Sequence, residues 1–143
     1  MMKSMLKPIL ANCFAFILAV SCTFAQDFTF TVDVSGDGSS YPLIIGFSPD
    51  ATDGYDDGLD VYAPPAPPPP SWDAALFNPI INDRFYVDIR PTTPEDGFTE
   101  WAVDFQADEG SEEINLSWNI DALGDGNFSL TDAFGGIFFS VNM

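Results

Sequence analysis

Residues 121–132 hold the arrangement best suited to chemistry in this chain. Asp121, Asp125, Ser129 and Asp132 fall at positions 1, 5, 9 and 12 of a twelve-residue loop, with Gly126 at position 6 and Phe128 at position 8. Calcium needs hard oxygens around a tight turn, and this spacing offers them. Leu123 stands at position 3, however, and Asp132 is shorter than the usual Glu at position 12. Phe128-Ser129-Leu130 followed by Gly135-Gly136 also reads as strand and turn, so a hairpin loop rich in Asp and Gly is the competing reading. Asp33-Val34-Ser35-Gly36-Asp37-Gly38 is a poor second copy, with Ile44 where the last ligand would fall.

Asp50, Asp53, Asp56, Asp57 and Asp60 form a second acidic group, with Gly54 and Gly58 between them. Such a crowd repels itself unless it is solvated or neutralised by a cation, and flexible loops of this kind wrap calcium. An exposed acidic loop is the alternative. The expected metal ligands are therefore Asp53, Asp56, Asp57, Asp60, Asp121, Asp125 and Asp132. Calcium is the one ion the sequence suggests, and the expectation otherwise is of no cofactor.

Other chemistry is limited by what the chain lacks. Lys3 and Lys7 precede an apolar stretch over residues 9–20, and Thr23-Phe24-Ala25 puts small residues at −3 and −1 of a cut before Gln26. These features predict a signal peptide over 1–25, and so a secreted or cell-surface protein. Lipidation at Cys22 is a minor alternative, because Ala19-Val20-Ser21-Cys22 lacks the usual Leu. The apolar stretch falls short of the roughly 20 residues a membrane helix needs, and no later segment approaches that length.

Both cysteines and both lysines lie in this leader, and the chain has no His. Residues 26–143 therefore lack a serine or cysteine triad, a Schiff-base lysine and the usual zinc ligands. Carboxylate pairs that hydrolyse glycosides exist only in the sense that carboxylates are abundant, so the chain is not expected to be an enzyme.

All 22 acidic residues remain after position 25, against Arg84 and Arg90, giving a net charge of −20. Nucleic acids and anionic membranes would be repelled, since their binding depends on Lys and Arg displacing counterions. Solubility explains the acidity as well as cation binding does.

The elements that must position these residues read as strands. Phe28, Phe30, Val32 and Val34 alternate with polar residues, as do Phe85, Val87 and Ile89, and Trp101, Val103 and Phe105. Leu43 to Phe47 is a continuous apolar run suited to a strand buried on both faces. Ile114-Leu116-Trp118, Phe128-Leu130 and Ile137-Phe139-Val141 complete about seven short strands. Clusters of Gly, Asp and Pro separate them.

The predicted fold is all-β, an antiparallel β-sandwich in a single domain over 26–143. Only residues 72–77 suggest a helical turn, capped by Ser71 and ended by Asn78-Pro79. Residues 63–70 include six prolines, which exclude a ladder strand and favour polyproline II. The expected form is a rigid loop crossing one end of the sandwich. Trp101 and Trp118 alternate with core residues, leaving Tyr62 and Trp72 beside the prolines as the aromatics expected to be exposed for a ligand. Arg84 and Arg90 are expected to pair with neighbours such as Asp83 or Asp88.

Ala51-Thr52-Asp53-Gly54-Tyr55-Asp56 with Gly58-Leu59-Asp60, then Ala63-Pro64-Pro65-Ala66-Pro67-Pro68, resembles a segment of secreted surface proteins of Bacteroidota. Asp88-Ile89-Arg90, Leu116-Ser117-Trp118 and Leu130-Thr131-Asp132-Ala133-Phe134-Gly135-Gly136 continue the resemblance. It implies a noncatalytic β-sandwich module on an exported protein, often followed by a type IX sorting domain. None follows here. Met143 comes directly after a strand where another one or two would be expected, so the expectation is of a truncated product. The functional expectation is a structural or adhesive cell-surface module, calcium-stiffened at its acidic loops, with an extracellular partner or polysaccharide. The alternative is a carbohydrate-binding module using exposed aromatics.

Overall fold

The computed structural model describes residues 27–36, 38–94, 97–110, 113–124 and 126–143. The predicted signal peptide, Cys22 and Asp125 lie outside the described residues.

The chain is all-β. Its strands are β1 (Phe28–Ser35), β2 (Ser40–Ser48), β3 (Val61–Tyr62), β4 (Asp73–Asn78), β5 (Asp83–Pro91), β6 (Ala102–Gln106), β7 (Asn115–Trp118), β8 (Ser129–Thr131) and β9 (Ser140–Asn142), with a short 3-10 turn at Ile120–Ala122. Alternation in β1 places Phe30, Val32 and Val34 in the core, as period two requires. The register then aligns Phe30 with Ile45 and Val32 with Leu43 on β2. A tight turn closes this hairpin, with Gly36 N–H donating to the Ser39 carbonyl at 3.0 Å and Gly38 at φ +81°.

Seven strands form one mixed sheet in the order β6-β4-β5-β2-β1-β7, with β3 also on β5, while β8 and β9 form a separate two-stranded sheet. The pairing of β2 with β5 is parallel, so the seven-stranded sheet is mixed where an antiparallel sandwich was expected. The chain leaves the sheet after β2 and returns through β3, the proline segment and the β4–β5 hairpin. That path brings β5 back in the direction of β2. Side-chain alternation carries no information about strand direction.

Strand β5 exchanges neighbours partway along. Phe85 pairs with both Leu76 of β4 and Tyr62 of β3, and Val87 pairs with both Ile44 of β2 and Val61 of β3. A strand has two edges, so β4 and β2 must share the one opposite β3, and the sheet curls about β5. Phe30, Val34, Leu43, Trp72, Ala74, Leu76 and Phe85 join one buried cluster as a result. Each large side chain there contributes roughly 1.5–3 kcal/mol by leaving water.

Other expectations change with the packing. Residues 72–77 are not a helical turn: β4 is clasped between β5 and β6, with Ala74 and Ala75 both fully buried. A small side chain on each face lets neighbours close over both. Phe105 shares its period with Trp101 and Val103, yet it is 51% exposed because β6 is an edge strand. Trp101 and Trp118 pack against the core cluster while partly exposed. Strand β9 starts later than the apolar pattern suggested, leaving Ile137 and Phe139, with Phe138 between them, in the connection.

Candidate functional site

The acidic loop before β3 is bonded from within. Asp56 accepts from Thr52 N–H and from its hydroxyl, while Gly54 N–H donates to Thr52 Oγ1. Asp60 is buried, and both of its carboxylate oxygens are engaged. Oδ2 accepts from Asp56 N–H at 2.7 Å and Oδ1 from Ile89 N–H of β5 at 2.8 Å. The side chain thus takes a ladder position on the β5 edge that a strand would otherwise fill.

Asp53 is exposed, but its carbonyl accepts from Asn78 Nδ2 and Arg90 Nη1, and its carboxylate lies 3.6 Å from Arg90. Asp50 donates its N–H to Ser48 Oγ, and Asp57 is exposed. Of the loop's five carboxylates, those of Asp56 and Asp60 accept from backbone donors and that of Asp53 faces Arg90. Among the described residues no three carboxylates converge as a metal cage requires.

Two further acidic residues, Asp73 and Asp88, are buried in strands. Arg90 Nη2 donates to Asp88 Oδ2 at 2.9 Å, and Arg90 Nε lies 2.9 Å from Asp88 Oδ1 without hydrogen-bond alignment. Burial pushes the Asp88 carboxyl above the usual carboxylate range, against the pull of Arg90. Trp101 Nε1 donates to the Asp88 carbonyl at 3.1 Å. Arg84 pairs with Asp73 rather than with Asp83. The Asp83 carboxylate instead accepts from the Arg84 N–H. Arg90 thus pairs with Asp88 as expected, while Arg84 finds Asp73 in place of Asp83.

In the 121–132 segment, Asp121 sits exposed on the 3-10 turn, where its N–H donates to Asn119 Oδ1. Asp132 accepts from the N–H groups of Phe134, Phe138 and Phe139 at 2.7, 2.7 and 2.8 Å. These bonds stabilise the ionised form and hold its carboxyl below the usual range. Asp132 organises the hairpin loop that follows it.

The two expected ligand aromatics part ways. Tyr62 is exposed and stacks on Tyr55, with centroids 4.4 Å apart and planes at 10°, and on Phe85 at 4.8 Å. Trp72 is 8% exposed, which corrects its placement on the surface. It lies where the Cα of Gly36 leaves room for the indole ring, and its Nε1 has no hydrogen-bond partner.

A cleft of about 310 Å³ instead opens beside β6, lined by Ala66, Asp73, Arg84, Asp104, Phe105 and Gln106. The proline segment forms its wall. Arg84 Nη1 donates to the Pro64 carbonyl at 2.7 Å, and Gln106 Nε2 donates to the carbonyls of Pro67 and Ser71. The cleft escaped the sequence because Phe105 sits in phase with core residues, and only the edge position of β6 exposes it.

The β8–β9 hairpin carries a second surface. Phe134, Ile137, Phe138, Phe139 and Val141 are exposed, and the Phe134 and Phe138 rings meet edge to face at 5.4 Å. The apolar types were legible, but their pattern suggested a buried strand. Compared with protein-family models, curated proteins and solved structures, the chain matches none.

Proposed function

We propose that this protein is a noncatalytic structural or adhesive module, exported by its signal peptide and held at the cell surface as one sandwich-like unit over residues 26–143. The observation that carries this reading is the apolar surface of residues 134–141, displayed on a protein whose acidic loop is tied to the sheet through Asp60. Contiguous exposed apolar groups rimmed by polar ones mark interaction surfaces. The resemblance of its loop motifs to surface proteins of Bacteroidota points the same way, and the absence of His, Cys and Lys from residues 26–143 argues against catalysis.

The reading needs no cofactor. Asp56 and Asp60 accept hydrogen bonds from backbone N–H groups, so melting in calcium and in chelator should give the same midpoint. Adhesion is tested with beads coated in the protein and offered to cells of the producing organism. Retention above that of albumin-coated beads is expected, and none would refute the reading.

A carbohydrate-binding role is favoured by the cleft beside β6. Phe105 offers an apolar face, Asp104 and Gln106 Oε1 offer acceptors for hydroxyls, and the proline wall is pre-organised by its hydrogen bonds. A glycan array followed by titration against F105A and D104N checks it. Silence across neutral polysaccharides would remove it.

A further inference from the structure

We propose that the β8–β9 hairpin and its loop dock an extended partner segment in which apolar and basic side chains alternate. This rests on the adhesive reading above and names the chemistry of the partner. Ile137 and Phe138 are 77% and 78% exposed, and among the described residues nothing covers them. They are held in place, since the loop's N–H groups at Phe134, Phe138 and Phe139 are all taken by Asp132. Ordering such a surface on binding costs less than ordering a floppy one. Strands β8 and β9 pair only with each other among the described residues, so a partner strand can extend the sheet through main-chain hydrogen bonds while its alternate side chains meet the apolar patch.

Charge selects the occupant. Arg84 is bound to Asp73 and Arg90 to Asp88, and residues 91–143 carry eleven carboxylates and no Lys, Arg or His. A second copy would bring the same excess of negative charge to the patch, and an anionic lipid surface would be repelled in the same way. Lysine or arginine side chains flanking apolar ones satisfy both the patch and the field around it.

The test uses the purified protein, its I137S/F138S variant and three synthetic peptides of about ten residues, alternating Lys-Val, Glu-Val or Lys-Gly. The Lys-Val peptide should bind, and its affinity should fall about tenfold or more on the double variant, a loss of about 1.4 kcal/mol or more. Glu-Val and Lys-Gly should each bind at least about tenfold more weakly, and raising salt to about 0.5 M should weaken the Lys-Val complex. Unchanged melting confirms that the variant folds; if it does not fold, F134S replaces it.

Equal binding of Lys-Val to wild type and variant would overturn the proposal, as would equal binding of Glu-Val and Lys-Val. A dimeric wild type with a monomeric variant would assign the patch to a second copy instead. Adhesive beads with a failed peptide series would leave the adhesive reading standing and remove this inference. Peptide binding without bead adhesion would do the reverse.

Discussion

Replacing Asp60 probes the link between the acidic loop and the sheet. The buried carboxylate accepts from Ile89 N–H at 2.8 Å and from Asp56 N–H at 2.7 Å, joining positions 29 residues apart in the first case. A hydrogen bond to a charged group contributes about 1.5–3 kcal/mol net, and a buried N–H left unpaired costs about 1–3 kcal/mol. Water reaches the part-buried Asp56 amide more readily than the buried Ile89 amide, so the sum is discounted. Asp60→Ala should therefore cost about 3–5 kcal/mol. That is a large share of the roughly 5–15 kcal/mol that holds a domain together.

Asp60→Asn keeps one acceptor oxygen and turns an NH₂ towards the other donor, so it should cost about 1.5–3 kcal/mol. Exposed Asp57→Asn should stay within about 0.5 kcal/mol of wild type. Urea unfolding followed by tryptophan fluorescence measures the loss, and amide exchange at Ile89 locates it. The same loss is expected in calcium and in chelator, because the carboxylate is occupied by N–H groups. A change under about 1 kcal/mol for Asp60→Ala, unaltered exchange at Ile89, or a loss seen only with calcium would refute the reasoning.

Three further perturbations test other contacts. A Cβ on Gly46 would run into the Phe28 carbonyl oxygen and lie 3.0 Å from Ile89 Cδ1; Gly46→Ala should cost about 3 kcal/mol and lower the melting temperature by about 10 °C. Asp88→Ala strands the buried Arg90 and should cost about 3–5 kcal/mol in urea unfolding, whereas Asp88→Leu with Arg90→Met should recover about half or more. The Asp132 carboxyl is lowered in the fold, so its contribution is complete above the ordinary value of 3.8 and is lost as the pH falls below that and through the folded value. Protection of the Phe134, Phe138 and Phe139 amides against exchange, taken relative to the intrinsic rate at each pH, should fall with acidification in wild type, and this response should be absent in Asp132→Asn.

The strands were legible where a half-buried surface imposes period two. Phe30, Val32 and Val34 sit where alternation puts them, and the 43–47 run does lie in a strand, though only Leu43 and Gly46 of it are buried and Ile44, Ile45 and Phe47 stay partly exposed. Trp72 and Phe105 were read in reverse. Whether an aromatic is covered depends on what lies beside its strand: Gly36 makes space over Trp72, while no strand flanks β6 beyond Phe105 among the described residues. The acidic residues were visible as a crowd, and the pairing of Asp88 with Arg90 was legible, but the burial of Asp60 was not. Asp60 and Asp88 show that some of that charge is structural.

Local pattern and composition determined an all-β chain of strongly negative net charge, because side-chain period and residue inventory need no knowledge of distant partners. Only the tertiary structure decided that β2 and β5 run parallel, that Asp60 closes the edge of β5, and that the hairpin at 129–142 presents its apolar residues outward. Each depends on which segments meet across long stretches of chain, and a strand's own sequence records only that it has a face to bury.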